Sequence, residues 1–212
     1  LIEGFHQTAQ AEIRKGENAV VIEGTSEIAQ FSYGTLASFY LSNQPLSATM
    51  RIRYEIDQDL LTIEAANARL KDLPLTMAGT VSKLREETLQ MDLTVTSPEA
   101  QMDKLLSLVP PEMLKKAKGL SSSGDVKFTM SIRGPSSETV NPATRGSFTI
   151  SRGNVQYASL PKSITNITLT GSFDMPSAHI GRKAIRSFGI DHFSATLGAS
   201  GVSGTLHVAN FD

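Results

Sequence analysis

The sequence has no cysteine and no tryptophan in 212 residues. Without thiols there are no disulfides, no thiolate nucleophile and no sulfur-ligated zinc, which fits a reducing compartment or an envelope protein that folds without crosslinks. Aromatic residues are scarce at 6%, so few bulky side chains are on hand to plug a wide apolar space. Neither charge dominates: 20 basic and 21 acidic residues give a formal −1, and the basic ones are dispersed. That balance suggests neither a phosphate-tracking groove for nucleic acid nor a polybasic membrane patch. No apolar run approaches the roughly 20 residues that span a bilayer as a helix, and no signal-like segment is present. The chain begins at Leu1 rather than at an initiator Met, and the expectation is a fragment of a longer protein. With 40% apolar residues it can bury a core as a single domain over 1–212.

Catalytic and metal-binding patterns are missing too. His6, His179, His192 and His207 lie far apart, with no partner at metal-ligand spacing. Asp57 and Asp59 flank a turn, but no Gly-bearing acidic loop follows. Glu86 and Glu87 read as a solvated turn pair. There is no Gly-x-Ser-x-Gly elbow, and the GASGVSG stretch from Gly198 to Gly204 lacks a Lys and leads into a strand rather than a helix. The reading is a protein with no enzymatic activity, metal or cofactor.

What is present is alternation. Leu46, Ala48, Met50, Ile52, Tyr54 and Ile56 share one face of a predicted strand, while Ser47, Thr49, Arg51, Arg53 and Glu55 share the other. This is the pattern of a sheet wet on one side only. Strands opening at Leu61, covering Leu73 to Val81, and running through Leu89, Met91, Leu93 and Val95 complete a meander. Val126, Phe128, Met130 and Ile132 alternate with Lys127, Thr129, Ser131 and Arg133. Further strands are predicted at Gly146–Ser151, Val155–Tyr157, Ile167–Phe173, Phe193–Leu197 and Val202–Val208. Turns are predicted at Asn43–Pro45, Ser121–Gly124 and Arg152–Asn154, and the Pro-, Ser- and Asn-rich Gly134–Ala143 reads as a loop and a candidate lobe boundary. The first forty residues are the least regular, with short strands at Ala19–Glu23 and Ile28–Tyr33. Leu61–Val81 and Ile190–Leu206 form a weak repeat, each a strand, a short turn and a strand with a Gly-Thr pair.

One stretch breaks the period. Ser97 can cap a helix, Pro98 suits its first position and Glu99 favours its positive end, so the pattern predicts a helical insertion at about Ser97–Lys118. Met102, Leu105, Leu106, Leu108 and Val109 give it an apolar face until Pro110 and Pro111 interrupt, and a second short helix is predicted at Pro111–Lys118. The fold class is therefore mainly β: a curved antiparallel sheet or open β-sandwich, with this insertion capping an end.

Three stretches together resemble the AsmA family of bacterial envelope proteins. They are Leu46–Val95, with RIRYEID, LTIEAANARLKDLPLTMAGTV and MDLTVTSPE; Leu105–Gly134, LLSLVPPEMLKKAKGLSSSGDVKFTMSIRG; and Gly146–Phe211, from GSFTISRGNVQY to SGTLHVANF. The family is related to the TamB-like and bridge-like lipid transfer proteins and has no settled active-site residues. The resemblance implies a non-catalytic periplasmic module of a protein anchored in the inner membrane of a Gram-negative bacterium. It further implies a role in outer-membrane assembly and phospholipid movement between membranes, with outer-membrane assembly proteins as partners.

Lipid passage requires a sheet whose apolar face is not closed by a second layer, so that a phospholipid or other acyl-chain ligand can slide along it. The candidate groove residues are Leu46, Met50, Ile52, Tyr54, Leu75, Met77, Leu89, Met91, Leu93, Phe128, Met130, Ile132, Ile167, Leu169 and Phe173. The alternative is a structural β module that binds protein partners by strand addition at an open edge. A hydrolase or sugar-binding domain would instead need convergent polar side chains in a pocket.

Overall fold

The computed structural model describes residues 2–14, 18–34, 39–106, 119–157, 162–179 and 186–209. Within them the chain runs β1 (Ile2–Arg14), β2 (Ala19–Gly34), β3 (Phe39–Glu55), β4 (Leu60–Leu70), β5 (Leu73–Ser82), β6 (Leu89–Gln101), α1 (Met102–Leu106), β7 (Leu120–Ser136), β8 (Val140–Asn141), β9 (Ala143–Tyr157), β10 (Ile164–Met175), β11 (Ala178–His179), β12 (Ser187–Leu197) and β13 (Ser200–Ala209). Eleven strands form one sheet in chain order, each antiparallel to the next, while β8 and β11 make a small ladder of their own. The large sheet is curved and is not closed into a barrel. Its margins are β1 and β13.

Short-range chemistry explains the meander. Hairpins turn on residues held at positive φ, among them Asn18, Asp59, Lys71 and Gly198, a conformation that Gly, Asn and Asp reach most easily. Two turns are two residues long, Lys71 and Asp72 between the paired Leu70 and Leu73, and Gly198 and Ala199 between the paired Leu197 and Ser200. Both members of the weak internal repeat are hairpins, with Leu61 opposite Val81 and Ile190 opposite Leu206. The Gly134–Ala143 stretch holds the end of β7, the Ser137–Thr139 bend, β8 and the start of β9, and β7 pairs directly with β9.

Several boundaries differ from the sequence reading. The helical insertion does not start at Ser97: β6 continues to Gln101, and α1 covers only Met102–Leu106. Ser97 is fully buried, and its hydroxyl donates to the Pro74 carbonyl at 2.7 Å instead of capping a helix. Pro98 and Glu99 fall in a register shift between Ser97 and Ala100, a bulge where a residue with no N–H is tolerated. The remainder of the insertion, including the predicted second helix Pro111–Lys118, lies outside the described residues. The predicted turns at Asn43–Pro45, Ser121–Gly124 and Arg152–Asn154 are passages inside β3, β7 and β9. Turn-forming residues there make bulges and irregularities: Asn43 and Arg152 have φ of 51° and 53°, and Gly124 has φ of 133°. Asp125 ties the β7–β9 bulge, accepting from Arg152 Nε at 2.6 Å and from Gln101 Nε2 at 3.1 Å. The irregular first forty residues contain one long hairpin, β1–β2, rather than separate short strands.

The two faces of the sheet are chemically opposite. On one face, Thr8, Thr25, Thr49, Asn67, Thr76, Thr96, Thr129, Ser147 and Ser172 are successive direct partners, forming a row of small polar side chains. Opposite charges face each other beside it, at Glu23–Arg51–Glu64, Asp92–Arg133 and Arg145–Asp174. Exposed pairs of this kind add little stability, but together with the hydroxyl row they hold the register, since a one-residue slip would turn them toward the apolar side.

Gly79 marks where the backbone is most constrained. It sits in β5 at φ 136°, and an added Cβ would meet the Asp92 carbonyl oxygen and lie 2.9 Å from Leu93 Cα. Gly79→Ala is expected to cost about 2 kcal/mol in urea unfolding, in the range for such backbone strain. Gly201→Ala, where an added Cβ meets nothing within 4 Å, should stay within about 0.5 kcal/mol of wild type.

Candidate functional site: the uncovered apolar face

Direct partners continue across the whole sheet on its other face. The central row runs Ala9, Gly24, Met50, Ala66, Met77, Val95, Met130, Gly146, Phe173, Phe188 and Val208. All eleven are apolar. At the usual strand spacing, ten steps make a stripe about 48 Å long across the strands. A parallel row to one side carries Ile22, Ile52, Ile63, Gly79, Leu93 and Ile132, and beyond it lie Val20, Tyr54, Leu61, Val81 and Met91. To the other side lie Ala48, Ala68 and Leu75, then Phe128, Phe148, Gly171, Ile190 and Leu206. Outermost are Leu46, Leu70 and Leu73, then Val126, Ile150, Leu169 and Phe193.

The fifteen residues singled out from the sequence occupy this one face. Met50, Met77, Met130 and Phe173 lie in the central row. Ile52, Leu93 and Ile132 lie in the next, with Tyr54, Met91 and Leu89 beyond them. Leu75, Phe128, Leu46 and Leu169 fill the opposite side, and Ile167 pairs with Gly153 past a bulge in the β9–β10 ladder. Leu93 and Ile167 are buried, at 8% and 7% exposure, and the other thirteen are only half-buried. The candidate groove residues did not include Ala66, Val95, Phe148, Phe188 or Val208. Which strand residues fall in line with Met77 or Phe173 is set by the register, a property of pairing that one sequence does not carry.

Among the described residues, helical cover lies at one end of this face. Met102 and Leu105 of α1 pack with Leu70, Leu73, Ala100 and Val126, closing the outermost row there. Along the middle rows, Ile63, Ala66, Val81 and Leu93 form a second cluster with Met50, Met77, Met91 and Ile132; Leu84, from the β5–β6 connection, is its one member from outside the strands. Among the described residues, strand contacts are dominated by sheet neighbours, and no extensive contact between elements of the large sheet bridges non-neighbouring strands as a second layer would.

Glycines keep the face shallow toward β12. Phe173 of β10 lies over Gly146 of β9, and Phe148 of β9 lies over Gly171 of β10, each ring occupying the space that a Cβ would take. Phe148 also stacks on Phe188 with ring centroids 5.8 Å apart. Aromatic rings seated over cross-strand glycines cover the backbone there.

The far end is fastened by a polar knot. Tyr54 Oη donates to Asp59 Oδ1 at 2.9 Å, the Arg85 backbone N–H donates to Asp59 Oδ2 at 3.0 Å, and the Arg85 guanidinium reaches both the Tyr54 hydroxyl and the Ile56 carbonyl at 3.1 Å. The Arg85 amide holds the Asp59 carboxyl below its ordinary pKa, helped by the Tyr54 hydroxyl and the Arg85 charge and opposed by partial desolvation. Asp59 is thus committed to joining the β3–β4 and β5–β6 turns. No group of three or more His, Asp or Glu among the described residues is placed to hold a metal ion.

The fold and face together define an open antiparallel meander with one apolar and one hydroxylated side. No family model, curated protein or solved structure matches the chain.

Because folding depresses the Asp59 pKa, this carboxylate stabilises the native state above the ordinary carboxylate range, and its contribution is lost as pH falls through that range toward the lower folded value. Asp59→Asn should therefore be less stable than wild type at neutral pH, and the gap should shrink on acidification. Thermal melts of both proteins between neutral pH and pH 3 check this.

Proposed function

We propose that the chain is a non-catalytic module of an AsmA-like protein of the Gram-negative envelope, carrying phospholipid between membranes along the apolar face of its sheet. The observation that carries this reading is the central row, apolar at each of eleven strands and, among the described residues, without a second sheet over it. A stripe of about 48 Å is roughly three times the 15 Å that one leaflet contributes to a bilayer's hydrocarbon core. A surface that long suits acyl chains moving in succession across the strands better than one ligand held in place. The backbone amides stay paired within the sheet, so hydrocarbon meets side chains only. Head groups would remain at the wet rim, beyond the apolar rows. The four methionines nearest the middle, Met50, Met77, Met91 and Met130, offer a flexible, polarisable lining that adapts to chains of different shape.

Met130 is the most informative position. It is half-buried, flanked by Val95 and Gly146 in the central row, and belongs to neither packed cluster. A benzophenone amino acid at Met130 in the intact envelope should give phospholipid adducts by mass spectrometry, and the same probe at Thr129, on the hydroxylated face, should not. Equal labelling at both positions, or none at either, would refute the reading. Met130→Arg should melt close to wild type yet reduce transfer between donor and acceptor vesicles about tenfold or more, given the cost of passing hydrocarbon over a fixed charge. A folded Met130→Arg protein with unchanged transfer would count against the route.

A further inference from the structure

Opposite charges on the hydroxylated face stand on adjacent strands and pair: Glu23 with Arg51, Asp92 with Arg133, Arg145 with Asp174. One place departs from this. Two residues along from the hydroxyl row, His6, Glu27, Ser47, Arg69 and Pro74 are successive direct partners. Here the carboxylate and the guanidinium lie two strands apart, with only the small Ser47 between them. Two strand spacings put their backbones about 10 Å from each other. Both side chains are exposed, and among the described residues neither has a hydrogen-bond or ion-pair partner.

The gap opens into a hollow on either side. One cavity, of about 280 Å³, has His6, Glu27, Ser47, Arg69 and Lys71 in its lining. Another, of about 440 Å³, lies over Thr25, Thr49, Asn67 and Thr76 and shares Glu27, Ser47 and Arg69 with the first. Lys71 is held in the β4–β5 turn at φ 56°, with its backbone N–H donating to the Pro45 carbonyl at 2.6 Å. The turn is thereby tied to β3, and a second cation lines the same cavity as Arg69.

We propose that Glu27, Ser47, Arg69 and Lys71 form a binding site for a zwitterionic phosphate ester, one whose ammonium is joined to the phosphate by a short arm, as in ethanolamine phosphates. The ammonium donates to the Glu27 carboxylate, Arg69 and Lys71 donate to phosphate oxygens, and the Ser47 hydroxyl donates from below. Arginine meets phosphate with a planar fork and lysine as a point charge. A simple anion would leave Glu27 opposed, and a simple amine would leave Arg69 and Lys71 unanswered. The same chemistry arrives as a free ester or as the head group of a phospholipid, and the proposal does not rest on lipid transfer.

The probe is glycerophosphoethanolamine, titrated with the whole 1–212 chain and followed by phosphorus NMR. Saturable binding is expected, about fivefold or more tighter than that of glycerophosphoglycerol, which keeps the phosphodiester and lacks the ammonium. Arg69→Gln should weaken binding by about the same factor, and Glu27→Gln should erase the preference between the two esters. Lys127→Gln, which removes an exposed cation from the same face three strands away, should bind like wild type. All three side chains are exposed, so the variants should melt like wild type, and circular dichroism verifies it. Dihexanoyl phosphatidylethanolamine, kept below its micelle threshold, separates the two sources. Binding about fivefold or more tighter than the glycerol ester, and weakened by Arg69→Gln, assigns the site to a lipid head group; equal binding assigns it to the free ester. No saturable shift, equal affinity for the two glycerol esters, or equal weakening by Lys127→Gln and Arg69→Gln overturns the proposal.

Discussion

The structure depends on cross-strand register. In an antiparallel pair, directly opposed residues point to the same side, so one correct pairing passes the face assignment to the next strand. Repeated ten times, this turns eleven separate alternations into a single apolar row from Ala9 to Val208 and a polar row that starts at Thr8. The charge pairs Glu23–Arg51, Asp92–Arg133 and Arg145–Asp174 contribute here as markers of phase more than as sources of stability. Ser97 marks phase from the inside: buried, with its hydroxyl on the Pro74 carbonyl, it is satisfied in one register and would be orphaned in the others.

Periodicity is a local signal, and it was legible where strands run without interruption. Leu46 to Ile56 and Val126 to Arg133 kept period two and read correctly as half-buried strands. Bulges hid the rest. Asn43, Gly124 and Arg152 have the positive φ of turns, but here β3 and β9 each absorb one extra residue, with Gly124 opposite the β9 bulge, and the chain continues. From one sequence, a bulge inside a long strand and a turn between two short ones look alike, because what separates them is the pairing partner far away in the chain. Ser97-Pro98-Glu99 misled for the same reason. Its capping chemistry is real, yet the partner that won was the carbonyl of Pro74, twenty-three residues earlier.

The candidate face was legible in many of its large residues, though not in Phe148 or Phe188, and not in its small ones. Met77 and Phe173 announce themselves; Gly146 and Gly171 do not, although the rings of Phe173 and Phe148 occupy the space that a Cβ at those positions would take. A smooth apolar surface thus rests on the smallest residues as much as on the largest. The knot of Tyr54, Asp59 and Arg85 was equally hidden. It joins two turns whose acidic and basic residues look, in sequence, like ordinary solvated punctuation.

The meander has one more consequence, for how such a molecule changes size. Each strand in the large sheet pairs only with the strands before and after it in the chain, so cohesion accumulates from adjacent ladders, as in quasi-one-dimensional folds. Inserting or deleting one hairpin leaves the up-down sense of all other strands, and the side to which their residues point, unaltered. The path across the strands would lengthen or shorten by about 10 Å per hairpin. Span can therefore drift in evolution by whole hairpins, with no need to redesign a core.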